Sequence, residues 1–118
     1  MGLFQGREDP DSAFPQCRLQ SGSHALDNLA PITIGDRVCL SQGAYLCTGN
    51  HDFRSPGFDL LLGPISIGSD AWIAARAVLA PGTQIGPGAV VALAAVVNGT
   101  VPAGAIVRGN PAVVVGQR

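Results

Sequence analysis

At 118 residues the chain has the length of one domain and no room for a second core. Charged residues are 13% of it and the net charge is −1, which excludes the basic footprint that a nucleic-acid binder needs. Aromatic residues are scarce at 5%, while 47% of the chain is hydrophobic and 16 residues are glycine, a mixture that suits a narrow interior better than a wide globular core.

Residues 1–25 carry Pro10, Pro15, Gly2, Gly6, Gly22 and the charged cluster Arg7, Glu8, Asp9 and Asp11, with no hydrophobic period. They are expected to form an irregular segment, or a cap on whatever follows. The opening MGLFQGREDP lacks the charged-then-apolar run of a signal peptide, and Gly6 stands where the myristoylation pattern needs Ser or Thr. No apolar run approaches the roughly 18 residues of a membrane span. The expectation is therefore a soluble, cytoplasmic protein without a membrane partner. Cys17, Cys39 and Cys47 show no metal-ligand spacing and are expected to be free thiols, with Cys39 and Cys47 outside the core.

From residue 26 to 118 the text changes. Residues 26–35, LDNLAPITIG, lead into blocks of six, each headed by an aliphatic residue: Ile34, Leu40 and Leu46, then Ile67, Ile73, Leu79, Ile85, Val91 and Val97. Four places after each head stands a second slot, filled by Val38, Ala44, Asn50, Ala71, Ala77, Thr83, Ala89, Ala95 and Val101. A period of six is neither helical nor that of an open hairpin, and it is a recognised solenoid signal. It predicts an all-β triangular column. Three blocks close a turn, turns stack about 4.8 Å apart as parallel strands, and the heads fill the axis. Gly35, Gly68 and Gly86 follow heads directly, where the backbone bends and a side chain is costly.

The period breaks at residues 52–64, DFRSPGFDLLLGP, which predicts an inserted loop that leaves the column and returns at a corner. Its Phe53, Phe58, Leu60, Leu61 and Leu62 are too apolar for a free loop and are expected to pack on a neighbour or over a site. Turns at 67–84 and 85–102 follow, then an extended tail with an apolar stripe at Val113, Val114 and Val115. So few turns bury little surface, and association of several columns side by side is expected.

The words ITIGDRVCLSQGAYLCTGNHD, FDLLLGPISIGSDAWIAARAVLAPGTQIG and VRGNPAVVV, in this order, resemble the hexapeptide-repeat acyltransferases. Within them the likeness is greatest to the colanic-acid and capsule-biosynthesis acetyltransferases, relatives of the galactoside and maltose O-acetyltransferases. The resemblance implies a left-handed parallel β-helix, a homotrimer, and acetyl-CoA held in the cleft between adjacent subunits. Handedness rests wholly on it, because parallel crossovers are otherwise right-handed.

It also implies a site. His51, in TGNHD, stands where the family's catalytic histidine does, and imidazole titrates near neutrality, as a base for a sugar hydroxyl must. No GxSxG nucleophile motif is present, which favours direct transfer over an acyl-enzyme. Trp72 falls beside that histidine and the acyl end of coenzyme A in the family. Ala74 and Ala75 fall where its pantetheine passes close to the backbone. Leu93 stands where related galactoside enzymes carry a small residue. Asn98-Gly99 replaces a common Thr-Lys, and Val113 replaces an arginine of the tail, which leaves Arg108 as the expected phosphate partner, with Arg76 and Arg118 behind it. His24 is expected to be a solvated bystander.

The leading expectation is an acetyl-CoA-dependent O-acetyltransferase acting on a sugar or saccharide precursor, with no metal. Family members carry further N-terminal coils that shape the acceptor pocket and are not recognisable here. The alternative is therefore a shortened, non-catalytic trimeric solenoid. A zinc-dependent carbonic anhydrase of the same coil would need three histidines, and the chain has two.

Overall fold

The computed structural model describes residues 25–27 and 29–118. The expectations for residues 1–24, His24 and Cys17 included, lie outside the described residues. Among the described residues every regular element is a strand and no helix is long and apolar enough to cross a membrane.

The strands visit three faces in strict rotation. The first face holds β1 (Ala25–Asp27), β4 (Tyr45–Cys47), β9 (Val78–Leu79) and β12 (Val96–Val97). The second holds β2 (Ile32–Ile34), β7 (Ile65–Ile67), β10 (Gln84–Ile85) and β13 (Thr100–Val101). The third holds β3 (Cys39–Leu40), β8 (Trp72–Ile73), β11 (Val90–Val91) and β14 (Ala105–Gly109), closed by the antiparallel β15 (Ala112–Gln117). All pairings on the three faces except β14–β15 are parallel, as expected of stacked turns of one column.

The heads form the axis. Ile34 pairs with Ile67 and Ile67 with Ile85 on the second face; Leu40, Ile73 and Val91 align on the third; Leu46, Leu79 and Val97 align on the first. All nine heads are buried in one apolar cluster. Ala44, Ala71, Ala77, Ala89 and Ala95 are wholly inaccessible, so their second slot has room for a methyl group and little else. Ile32 and Ile65 fill the same slot at the start of the second face.

Three expectations need correction. Asn50 is exposed and does not occupy a second slot; the chain has already left the column, and Thr48 is the buried residue, accepting the Ala30 amide at 3.1 Å. The last turn is shorter than the period predicts. Val101 pairs with Ile85 and Val107 with Val91, sixteen residues apart instead of eighteen, so Val101 serves as a head. The corner before it is cut short at Gly99, whose φ of 97° only glycine adopts readily. The tail does not leave the frame at once: Ala105 and Val107 stay in the core, and β15 then folds back on β14 through a cis Asn110–Pro111 bond. Val113, Val114 and Val115 are exposed on that strand.

Edges turn through residues with left-handed backbone, stacked coil on coil. Arg37, Asp70, Gly88 and Gly104 form one such column between the second and third faces, and Gly43, Arg76 and Ala94 form another between the third and first. Their amides bond the preceding coil, as in Asp70 to the Asp36 carbonyl and Ala94 to the Ala75 carbonyl, both at 2.9 Å. Gly35, Gly68 and Gly86 are required by close approach. A Cβ on Gly68 would stand 2.5 Å from Pro87 N, and one on Gly86 2.5 Å from Ala103 N.

Candidate active site

The inserted segment folds as a hairpin on the edge between the first and second faces. Its strands are β5 (Gly49–His51) and β6 (Leu60–Leu62), antiparallel, with His51 opposite Leu60 at the end next to the connecting turn. The turn is held by its own polar groups: Asp52 N donates to Asp59 O at 2.8 Å, Ser55 Oγ to Asp59 Oδ2 at 2.9 Å, and Arg54 N to Asp52 Oδ1 at 3.1 Å. These bonds bring Phe58 back over His51.

His51 is solvent-exposed but fixed. Its Nδ1 lies 3.0 Å from the Phe58 carbonyl oxygen. A carbonyl can only accept, so Nδ1 carries the proton, and Nε2 of the neutral ring keeps its lone pair. The Phe58 ring stacks on the imidazole with centroids 4.3 Å apart and planes 14° from parallel. Below the hairpin, Asn50, Leu61, Leu62, Pro81, Gly82 and Asn98 line an open cleft of about 360 Å³.

The other expected residues lie elsewhere on the column. Trp72 is on the third face, about one-third exposed, and its indole N–H reaches down one coil to Ser41 Oγ at 2.9 Å. Ala74, buried, and Ala75, half-buried, follow it onto the edge between the third and first faces. Leu93 stands on that edge one coil further, strongly exposed, and Arg108 follows Val107 where Ala92 follows Val91 in the coil below. The five residues thus share one flank, along which the amides of Ala75 and Leu93 donate to no backbone group among the described residues. The small side chains of Ala74 and Ala75, with the edge amides of Ala75 and Leu93, suit close passage of an extended, amide-bearing chain.

Within one chain, His51 and this flank do not meet. The hairpin leaves the column after β4, between the first and second faces, whereas Trp72 to Arg108 run along the third face and its edge with the first. A site that uses both needs two copies.

Among the reserve phosphate partners, Arg118 is occupied on the edge between the second and third faces, donating from Nη1 to the Asp70 carbonyl at 2.8 Å and the Gly88 carbonyl at 3.2 Å. Arg76 is exposed on the edge of Ala75. Asp70 is gripped by Arg37 through Nε–Oδ1 at 2.7 Å and Nη2–Oδ2 at 3.2 Å, and this pairing, with a lesser contribution from the charge of Arg118, holds the Asp70 carboxyl below the usual range against the opposing effect of burial.

Cys39 corrects another expectation. It is buried although it is not part of the axial cluster, and it is disulfide-bonded. Cys47 keeps its thiol, which donates to the Gly49 carbonyl at 3.0 Å. No group of three His, Cys, Asp or Glu side chains among the described residues is placed to hold a metal ion.

Two residues in contact with the expected site residues, Ser41 and Phe58, escaped the sequence reading. Ser41 could have been found by register, since Leu40 aligns with Ile73 and places Ser41 under the Trp72 segment. Phe58 drew notice only as apolar; nothing in the loop's text signals the stack.

No family model matches the chain. It is 45% identical over 93 residues to the Escherichia coli (strain K12) protein named colanic acid biosynthesis acetyltransferase WcaF, covering 79% of this chain and 51% of that one. A hexapeptide-repeat containing acetyltransferase from Vibrio cholerae, solved with acetyl coenzyme A, superposes with a TM-score of 0.77 at 33% identity, over 80% of this chain and 54% of that one. A maltose O-acetyltransferase from Clostridium difficile superposes with a TM-score of 0.72 at 27% identity, over 76% of this chain and 50% of that one. The chain spans about half the length of the relatives it matches.

Proposed function

Because the chain belongs to the hexapeptide-repeat acyltransferase family, we propose that it transfers an acetyl group from acetyl-CoA to a hydroxyl of a sugar or saccharide precursor. The donor follows from the acetyl-CoA held by the Vibrio protein, and the acceptor class from the names of the colanic acid and maltose relatives. On this reading the coil is left-handed and the working form a homotrimer in the cytoplasm. The trimer supplies what one column lacks, because the His51 hairpin of one copy must meet the Trp72 flank of another.

One observation carries the proposal: the Phe58 carbonyl claims Nδ1 of His51 and leaves Nε2 as the free base, on an exposed loop. Acetyl-CoA supplies an activated thioester carbonyl. His51 Nε2 takes the proton of the acceptor hydroxyl as that oxygen bonds to the carbonyl carbon. The carbon–sulfur bond breaks, and Nε2 returns the proton to the departing sulfur. Such a base is worth about 10²–10⁴ in rate. Trp72, steadied by Ser41, flanks the acyl end; Ala74, Ala75 and Leu93 border the pantetheine arm; Arg108 meets a phosphate. No metal takes part.

His51→Ala should abolish acetyl transfer from acetyl-CoA to saccharide acceptors while the oligomer, followed by light scattering, persists. Turnover unchanged by that substitution overturns the assigned base. Absence of acetyl-CoA binding by calorimetry at millimolar ligand would replace the enzyme with the non-catalytic solenoid.

A further inference from the structure

Phe58 touches His51 twice. Its carbonyl oxygen accepts from Nδ1 at 3.0 Å, and its ring lies on the imidazole at 4.3 Å and 14°. The two contacts restrain different motions. The hydrogen bond fixes which ring edge faces the loop, while the stack fixes the plane of the ring and opposes a flip about the outer side-chain torsion. Both come from a residue whose own backbone is unfavourable, since Phe58 has φ 51°, a region costly for any side chain with a Cβ.

That conformation is bought by its surroundings: the Phe58 amide donates to the Ser55 carbonyl at 3.0 Å, and Ser55 is tied to Asp59 at 2.9 Å. A glycine would satisfy the same backbone at less cost, and it could offer the same carbonyl. The phenyl ring is therefore not explained by the turn. It is also more than half exposed, so it is not explained by burial in a core. Its described ring contact is with His51.

We propose that the Phe58 side chain is a positioning residue for His51, holding the imidazole in the Nδ1–H form with Nε2 directed out of the loop. The role rests on the reading of His51 as the base. It touches neither donor nor acceptor and acts through the histidine alone. Aromatic pairs of this geometry are worth enough to change a rate by about 3- to 10-fold.

The test compares Phe58→Gly, Phe58→Leu and Phe58→Tyr in the full chain. Glycine keeps the backbone and the carbonyl and deletes the ring; leucine keeps an apolar side chain without a π-face; tyrosine keeps the stack. Nitrogen-15 NMR of the imidazole, in a His24→Gln background that leaves one histidine, reads the tautomer without turnover. We expect Phe58→Gly and Phe58→Leu to lose the predominance of the Nδ1–H form. Both should lower kcat by about 3- to 10-fold with KM for acetyl-CoA within about twofold, and Phe58→Tyr should restore the parent values. A glycine variant with the parent tautomer population overturns the proposal, whatever its activity. Should His51→Ala leave turnover intact, the enzyme reading fails on that measurement, while the NMR comparison still decides the role of Phe58.

Discussion

Trp72 Nε1 donates to Ser41 Oγ at 2.9 Å across one coil of the column, so the only tryptophan of the chain is held by a residue 31 positions before it. The bond matters because Trp72 projects from the third face with about a third of its surface open. Ser41→Ala should free the ring at a cost of about 1 kcal/mol in stability. Intrinsic fluorescence reports it directly, through a red-shifted emission and easier quenching by acrylamide. On the proposed function KM for acetyl-CoA should rise a few-fold with kcat less affected. Unchanged emission would mean that the bond does not hold the indole.

The stacking of coils sets a second expectation. Gly68→Ala places a methyl group 2.5 Å from Pro87 N, backbone that can move only by parting two coils. A loss of about 1–3 kcal/mol should follow, seen as a lower urea midpoint. Gly82→Ala is the control, since nothing lies within 4 Å of its added Cβ and only its φ of 82° opposes the change.

The axis predicts a larger effect. Leu79 is fully buried between Leu46 and Val97, so Leu79→Ala should cost about 2–5 kcal/mol. Ala77→Leu, in the neighbouring small slot, should also destabilise, by about 1–3 kcal/mol through overpacking. Chemical denaturation of both variants checks the pair. An Ala77→Leu protein as stable as the parent would show that the slot has room to spare.

Acid dependence follows from Asp70. Its pKa is lowered in the fold, chiefly by the hydrogen bond from Arg37, so it binds protons less readily folded than unfolded. Its contribution is complete above the ordinary carboxylate value of 3.8 and fades as pH falls through the lower folded value. The pair is solvent-exposed, which limits it to about 0.2–1 kcal/mol. Arg37→Gln should lower stability at pH 7 by that amount and narrow the gap to the parent below pH 3.8, measured by urea unfolding at both pH values.

Much of the column was legible because its rule is local. A head every six residues specifies an inward side chain, and Ile34, Ile73 and Val97 obey it whatever lies outside. What the rule could not reveal was where the chain stops following it. Asn50 keeps the count but is already in the hairpin, and Val101 is promoted to a head because a corner at Gly99 is two residues short. Spacing alone does not distinguish these from regular blocks. For the site, likeness to a family named His51 and Trp72 but not their separation, one on the edge between the first and second faces and the other on the third face, which follows from the order of the strands. Phe58 was hidden for a different reason: its contact with His51 depends on a left-handed backbone turn that no composition signal marks.

The first full coil returns to register after thirty-three residues, and the next does so after eighteen, yet both present Ile67 and Ile85 to the same ladder. What is spliced in after Thr48 thus leaves the register of the column the same on either side of it. The hairpin can therefore differ in length without shifting the ladder that carries it.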